Sequence, residues 1–387
     1  DSVIIAENLI NGADNFPLLA VPLFILAGEL MNAGGLSHRI VSMAMSLVGH
    51  IRGGLGYVAI ISTLLFASLS GSPIADTAAL GAILIPMMVN SGYDIKRSSG
   101  LIAAGGITAA IIPPSIGFII FGVTAGVSIT DLFLAGIVPG LIMGLGLVIV
   151  WAMIVRKEKM QVQPKKPVKE MVREVVNAFW ALLLPVIILV GLRFGFFTAT
   201  EAGVVAAVYA LIVGLLIYRK LKVRDLYHVL IRSAKMSSIV MFLVASALVS
   251  SWLIAVGNLP SEVIGLLEPV MDHPILLLLL INLIVILVGM VMDMTPIILI
   301  LTPVFMPVIM DAGVDPVYFG VLFIMCTAIG LLTPPVGNVL NVIAGVSKIS
   351  MEDVVKGIWP FIIVEMIVLI LLTIFPSLIL LPLEWLN

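Results

Sequence analysis

Long apolar runs dominate the chain, and short polar or proline-containing stretches interrupt four of them. The first interruption, residues 70–77, reads SGSPIADT and lies within an apolar region that extends from Tyr57 to Val89. Each flank holds about 13 residues, which as helix is roughly 20 Å long, too short to cross a hydrocarbon layer of about 30 Å. The pattern therefore predicts a re-entrant hairpin, two half-length helices with a polar tip near the membrane midplane.

Asp76 at this tip would cost roughly 2.5–3.5 kcal/mol if it faced lipid, so we expect its carboxylate to face protein, water or an ion. A second hairpin is predicted over residues 274–310, with Asp293 at its tip. Two further runs, 98–125 and 317–345, contain paired prolines. Because proline lacks a backbone donor and breaks a helix, both runs are predicted to be discontinuous helices.

The two halves of the chain also match in sequence. Asp76 and Pro86 of the first hairpin correspond to Asp293 and Pro303 of the second, each pair 217 positions apart. Later residues recur 221 positions apart: Asp131, Gly136 and Pro139, matched by Glu352, Gly357 and Pro360. An internal repeat with interrupted helices at corresponding places is typical of a secondary transporter whose site lies between the repeats.

Basic residues predict the orientation and the domain organisation. Residues 156–177 hold seven Lys or Arg against three Glu, and residues 219–235 are again rich in Lys and Arg. The positive-inside bias places both segments in the cytoplasm, so the first hairpin opens inward, the second opens outward, and the repeats are inverted. The predicted division is a scaffold span and arm helix at 1–54, transport-domain parts at 55–127 and 274–347, scaffold spans with the linker and a second arm at 128–273, and a C-terminal scaffold span at 348–387.

Composition supports an all-α polytopic membrane protein. Of the 387 residues, 61% are hydrophobic and 11% are charged, whereas a soluble domain carries about 25% charged residues. The net charge is −2, no basic tract is long enough for nucleic acid, and the single Cys326 excludes a disulfide within the chain. The chain begins at Asp1 without a signal-peptide pattern, which predicts that it is a trimmed or C-terminal part of a longer polypeptide.

The four interruptions are expected to meet at the membrane midplane and to offer oxygen ligands suited to Na⁺ or another small hard cation. The first cation site is predicted from Ser70, Gly71, Ser72, Asp76 and Pro114. The second is predicted from Asp293, Thr295, Thr333, Gly337 and Asn338. The alternative is that these side chains only cap the half-helices, as Ser, Thr and Asp commonly do.

The half-helix N-termini that follow each interruption carry partial positive charge and free N–H groups, which favours an anionic substrate. The predicted substrate-binding residues are Ser72, Ser115, Thr295, Asn338 and Asn341.

Two other ionisable residues within apolar runs are predicted to have structural roles. Glu29 is assigned to capping or helix packing, and Glu365 to contact with a neighbouring helix or a partner subunit. The chain has no Gly-rich phosphate loop, nucleophile triad or HExxH sequence, which argues against ATP hydrolysis and intramembrane proteolysis.

Five stretches taken together resemble the large membrane subunit of the tripartite ATP-independent periplasmic (TRAP) transporters over nearly the whole chain. They are PLFILAGELM at 22–31, SGSPIADT at 70–77, IPPS at 112–115, FTATEA at 197–202 and TPPVG at 333–337. The family usually has one more span before the position of Asp1, which suggests truncation or a fusion of the small and large subunits.

The resemblance implies a Na⁺-coupled importer of the bacterial inner membrane, with an elevator-type fold in which the hairpins and broken helices move as one transport domain. It implies three partners: a small membrane subunit, a periplasmic substrate-binding protein and an organic anion. Family substrates include C4-dicarboxylates, sialic acid and other sugar acids, of which we favour sialic acid or a related sugar acid.

Three alternatives stay open. A stand-alone Na⁺/dicarboxylate symporter would take up substrate without a binding protein. A membrane enzyme would use Asp76 and Asp293 as an acid–base pair, although no substrate motif supports it. A passive channel would dissipate a gradient without Na⁺ dependence.

Overall fold

A computed structural model describes residues 2–157 and 164–386, and within these ranges it contains helices and no β-strand. The helices of the first half are α1 (Ser2–Ala13), α2 (Ala20–Ala33), α3 (Leu36–Val48), α4 (Gly54–Ser70), α5 (Pro73–Asn90), α6 (Ile95–Gly106), α7 (Ile116–Ala125), α8 (Ile129–Lys157) and α9 (Val168–Arg193). Those of the second half are α10 (Ala199–Ile212), α11 (Val223–Val256), α12 (Leu259–Met271), α13 (Pro274–Gly289), α14 (Met294–Asp311), α15 (Pro316–Leu331), α16 (Asn338–Ser347), α17 (Met351–Ile374) and α18 (Ser377–Leu386).

Eight helical segments of the described ranges are long and apolar enough to cross a membrane, which confirms the predicted all-α polytopic class. They are Phe16–Ala33, Pro73–Asn90, Ile129–Arg156, Val168–Arg193, Ala199–Ile217, Val223–Val256, Met294–Asp311 and Met351–Ile374.

Helices α4 and α5 form the first helical hairpin, and α13 and α14 form the second. The arms α4 and α5 hold 17 and 18 residues, roughly 26 Å of helix each, which is longer than the apolar flanks alone suggest. Gly71 ends α4 with a positive φ of 64°, and Pro73 occupies the first turn of α5, where its missing N–H costs nothing. Glycine and proline therefore set the turn at the tip.

Both predicted broken helices are broken at the paired prolines. The first consists of α6, a short 3-10 turn (Ile107–Ala110) and α7, and the second of α15 and α16. The Pro113–Pro114 and Pro334–Pro335 peptide bonds are cis. Each break leaves backbone groups outside regular helix next to a hairpin tip.

The helices of each half of the chain pack against helices of the other half. Helix α5 packs against α16, and α14 packs against α7, so each hairpin contacts the broken helix of the other half. The helix that follows each broken helix does the same, since α8 packs against α15 and α17 packs against α6. This exchange joins both hairpins, both broken helices, α8 and α17 in one packed unit.

The contact between α6 and α17 is especially close. A Cβ at Gly100 would lie 2.8 Å from the backbone of Gly357, and a Cβ at Gly357 would lie 2.0 Å from the carbonyl oxygen of Lys96. Lys96 Nζ also forms an ion pair of 2.7 Å with Asp353. Only glycines allow the two backbones to approach this closely.

A second group of helices surrounds the tips from the side. Helix α2 packs against α10 and α11, α1 packs along α11, and α3 packs against α4 and α9. Wide faces of α9 and α11 remain exposed and apolar, with Val186, Val190, Ile239 and Phe242 on the surface. Such faces suit contact with lipid or with another membrane subunit.

The structure differs from the sequence-based expectations at the ends of several elements. The predicted scaffold segment 1–54 begins with an additional helix, α1, and the basic segment 219–235 is helical from Val223 as the start of α11. Helix α11 has 34 residues, roughly 50 Å against a hydrocarbon thickness of about 30 Å, so its charged end extends past the apolar layer without unwinding. Part of the predicted cytoplasmic linker, residues 158–163, lies outside the described residues.

Within the predicted C-terminal scaffold segment 348–387, helix α17 covers Met351–Ile374. Ser350 caps its start, because the Ser350 hydroxyl accepts a hydrogen bond of 3.2 Å from Asp353 N. Pro376 lies just past its end, where it cannot continue the helix.

Candidate functional site

The tip of the first hairpin closes around a buried carboxylate. Asp76 has no exposed surface, and the Ser70 hydroxyl donates a hydrogen bond to its Oδ1. The Ser72 amide in turn donates to the Ser70 hydroxyl at 3.3 Å. The other carboxylate oxygen, Asp76 Oδ2, is buried and makes no hydrogen bond within the described residues. A buried carboxylate oxygen without a donor is a position that a cation can satisfy.

The first break lies directly against this tip. The Ile116 amide donates a hydrogen bond of 3.4 Å to the Gly71 carbonyl. A Cβ at Gly71 would lie 2.4 Å from the carbonyl oxygen of Pro114, so only glycine allows this approach. The residues predicted for the first cation site therefore lie together, and their donor atoms are all oxygens.

The second tip is built in a parallel way from the second half of the chain. Asp293 caps α14 through an Oδ1 that accepts a hydrogen bond of 2.9 Å from Met294 N. The Met290 carbonyl accepts hydrogen bonds from the Gly337 and Val336 amides at 3.0 and 3.2 Å. Here too a tip carbonyl is bonded to the amide groups of the adjacent break.

A cavity of about 140 Å³ lies between the two tips, α2 and α11. Six residues predicted for cation or substrate binding line it: Ser70, Gly71, Ser72, Asp76, Asp293 and Thr295. The structure thus brings two hairpin tips, more than 200 positions apart in sequence, to one space.

The other predicted residues lie outside the walls of this cavity. Ser115 is fully buried and engaged, because its hydroxyl donates to the Ala110 carbonyl at 2.5 Å and accepts from Phe118 N at 3.2 Å. The Thr333 hydroxyl donates to the Ile329 carbonyl at 2.7 Å. Asn341 is exposed, and its amide donates to the Val336 carbonyl at 3.4 Å.

Pro114, Gly337 and Asn338 belong to the breaks behind the tips. Gly337 has a positive φ of 51°, and Asn338 is the first residue of α16. The predicted second site is therefore divided, with Asp293 and Thr295 on the cavity and the residues of the break next to it.

Sequence reasoning missed the contribution of α2. Glu29 and Asn32, one turn apart on this helix, line the cavity together with Met236 and Val240 of α11. The sequence did contain a signal, because an ionisable residue such as Glu29 inside an apolar span by default suggests a functional role. Glu29 was instead assigned to capping or helix packing, because the sequence does not reveal which helix faces the tips.

Glu365 lies away from the cavity. It has no exposed surface, and neither carboxylate oxygen has a hydrogen-bond partner within the described residues. The sequence predicted that Glu365 contacts either a neighbouring helix or a partner subunit. Its buried position favours the neighbouring helix.

Two polar hairpin tips and two interrupted helices around one cavity, in a bundle of apolar helices, define a secondary membrane transporter. The chain belongs to the tripartite ATP-independent periplasmic transporter family as its DctM component, because the model of this family matches residues 1–378. It is accordingly a transporter permease and not an enzyme, and it is a multi-pass protein of the bacterial inner membrane. This confirms the family resemblance seen in the sequence.

Similar proteins are large permease proteins of the same transporter family. The chain is 54% identical to the 2,3-diketo-L-gulonate TRAP transporter large permease protein YiaN of Escherichia coli, over 100% of this chain and 91% of YiaN. It is 39% identical to the sialic acid permease SiaM of Vibrio cholerae, over 96% of this chain and 87% of SiaM. It is 36% identical to the C4-dicarboxylate permease DctM of Pseudomonas aeruginosa, over 99% and 90%.

Among solved structures, the fold is similar to that of Neisseria gonorrhoeae MtrF, described with a class of antimetabolite efflux pumps. The TM-score is 0.70 at 14% identity, over 96% of this chain and 84% of MtrF. At this identity the similarity concerns the fold alone.

Proposed function

We propose that the chain is the permease of a three-part importer that moves an organic acid into the cell, driven by a Na⁺ gradient. The observation that carries this proposal is the single cavity lined by both hairpin tips, with Asp76 and Asp293 on its walls. Carboxylate, hydroxyl and carbonyl oxygens suit a small hard cation, and the unpartnered Asp76 Oδ2 offers it a ligand.

For Na⁺, the proposed ligands at the first tip are the Ser70 and Ser72 hydroxyls, the Asp76 carboxylate and carbonyls near Gly71 and Pro114. At the second tip we propose Asp293 and Thr295, with groups of the adjacent break: Thr333, Gly337 and Asn338. The capping interpretation is compatible with this proposal, since Asp293 Oδ1 caps α14 and its second oxygen stays available.

The proposed substrate class is a sugar acid. The relative at 54% identity is named for 2,3-diketo-L-gulonate, whereas those named for sialic acid and C4-dicarboxylates are 39% and 36% identical. A keto sugar acid of the diketogulonate type is therefore our first candidate, and sialic acid is the second. Ser72 and Thr295, which line the cavity, are the predicted substrate contacts best placed for it.

We further propose an elevator movement. The exchanged packing of the hairpins and broken helices supports one moving body, and α8 and α17 pack so closely on α4, α6 and α15 that they are best grouped with it. This differs from the sequence-based boundaries, which placed α8 and α17 in the scaffold. Helices α2, α3 and α9–α12 would form the scaffold.

The proposed partners are a small membrane subunit and a periplasmic binding protein, as the family implies. The exposed apolar faces of α9 and α11 offer room for the small subunit on the scaffold. The binding protein would deliver the organic anion to the external face.

Uptake into proteoliposomes tests the proposal. The complete membrane complex would be assayed with labelled 2,3-diketo-L-gulonate and, in parallel, labelled sialic acid, with and without an inward Na⁺ gradient and with and without the binding protein. We expect accumulation only when both the gradient and the binding protein are present. Accumulation without the binding protein would instead support a stand-alone symporter, and equilibration without Na⁺ would support a channel.

A further inference from the structure

Glu29 is a third acidic residue on the cavity. It belongs to the proposed scaffold, whereas the other two belong to the proposed moving domain. Asp76 and Asp293 belong to the hairpin tips, whereas Glu29 is carried by α2. A Cβ at the neighbouring Gly28 would lie 3.4 Å from the Ser70 Cβ, so this part of α2 lies directly against the first tip.

No cationic side chain lies on this cavity to balance its acidic residues. Its lining contains the carboxylates of Glu29, Asp76 and Asp293 and no Lys, Arg or His. Within the described residues Glu29 makes neither an ion pair nor a hydrogen bond through its side chain. Asp76, which also lines the cavity, has a buried Oδ2 without a donor. Three acidic residues on one cavity without a cationic side chain make it a favourable place for a cation.

Glu29 does not complete a compact metal site, because no three acidic, His or Cys side chains of the described chain converge on one ion. Its effect must therefore act across the cavity through its charge. At an effective dielectric constant of about 20, a unit charge on the order of 10 Å away changes cation affinity by about fifteenfold without salt, and screening over a Debye length of about 10 Å reduces this to about threefold.

We propose that Glu29 is a cation-attracting residue of the scaffold, which raises the affinity of the hairpin tips for Na⁺ while the tips lie beside α2. The same negative charge repels an organic anion until the tips hold their cations, so Glu29 favours cation binding before substrate binding. This inference rests on the proposed Na⁺-coupled function and assigns part of the coupling to a residue outside the moving body.

The test uses Na⁺-dependent thermal stability of the purified membrane complex and so needs no knowledge of the substrate. The melting temperature is measured while NaCl replaces choline chloride at constant total salt, which gives the Na⁺ concentration for half-maximal stabilisation. The variants are Glu29→Gln, Glu29→Gln with Asn32→Asp, and Asn32→Asp alone. Glu170→Gln on the exposed end of α9 is the matched control.

Glu29→Gln is expected to raise the half-maximal Na⁺ concentration by about threefold to fifteenfold, and Asn32→Asp in that background to bring it back toward the parent value. Asn32→Asp alone should lower it, and Glu170→Gln should leave it unchanged. A purely structural role for Glu29 would lower the melting temperature equally in both salts without moving the Na⁺ midpoint.

If the parent is stabilised by Na⁺ but Glu29→Gln stays within twofold of the parent midpoint, this inference is overturned and the proposed function stands. Should Glu29→Gln fail to fold, an unchanged midpoint in Asn32→Asp overturns it in the same way. A parent without any Na⁺-specific stabilisation would overturn the proposed function and this inference together.

Discussion

Gly71 lies against the carbonyl oxygen of Pro114: a Cβ at position 71 would be 2.4 Å from that oxygen. Gly71 belongs to the first hairpin tip and Pro114 to the first break, so their contact joins the two interruptions that the first cation site needs. The Gly71 φ of 64° would also strain any other residue.

Gly71→Ala should therefore separate the tip from the break and abolish Na⁺-driven uptake. The left-handed backbone alone costs roughly 1–2 kcal/mol for a residue with a Cβ, and the clash adds to it. Gly92→Ala is the matched control, because Gly92 has a φ of 82° but open space around its Cβ position. Gly92→Ala should lose a similar amount of stability from its left-handed backbone and should still transport. Equal transport by both variants would contradict the role of the Gly71–Pro114 contact.

Ser70→Ala removes the donor to Asp76 Oδ1 and leaves a fully buried carboxylate without any hydrogen bond from a side chain. An unsatisfied buried group costs about 1–3 kcal/mol, and a lost ligand weakens cation binding. We expect a lower melting temperature and a several-fold higher Na⁺ requirement for uptake. Ser68→Ala, which removes only a hydroxyl bonded to the Leu65 carbonyl within its own helix, should change neither. The prediction fails if the two serine variants behave alike.

Gly357→Ala tests the close packing of α17 on α6, the contact that motivates grouping α17 with the moving body. Its Cβ would lie 2.0 Å from the Lys96 carbonyl oxygen, which forces α17 away from α6. Overpacking of this kind costs typically about 1–3 kcal/mol, so the melting temperature of the complex should fall. Gly345→Ala on α16, whose added Cβ meets nothing within 4 Å, should be neutral or slightly stabilising. Equal melting temperatures for the two variants would show that α6 and α17 separate at no cost.

The interruptions of the fold could be predicted because their causes are local. The glycine and proline of the 70–77 stretch set the first tip, the paired prolines at 113–114 and 334–335 set the breaks, and Asp76 and Asp293 are polar residues that lipid would not accept. The ends of α11 and α17 could not be placed as well, because charged residues mark the edge of the apolar layer without ending a helix.

The walls of the cavity depend on long-range packing, which the sequence pattern does not contain. Nothing local places Glu29 opposite a tip that is more than 40 positions away, and nothing in the IPPS stretch shows that the Ser115 hydroxyl is used by its own helix. The proposed grouping of α17 with the hairpins likewise depends on close glycine contacts between distant parts of the chain, such as Gly100 with Gly357.

We propose that both hairpin tips bind the driving cation. Na⁺-driven uptake by the complete complex carrying Asp76→Asn or Asp293→Asn tests this directly, with the exposed Asp272→Asn after α12 as control and with subunit assembly checked for each variant. Both tip variants should lose Na⁺-driven accumulation although the complex assembles, and the control should transport as the parent does. Na⁺-dependent accumulation that persists in both tip variants would show that the tips do not bind the driving cation and would place the cation sites elsewhere in the protein.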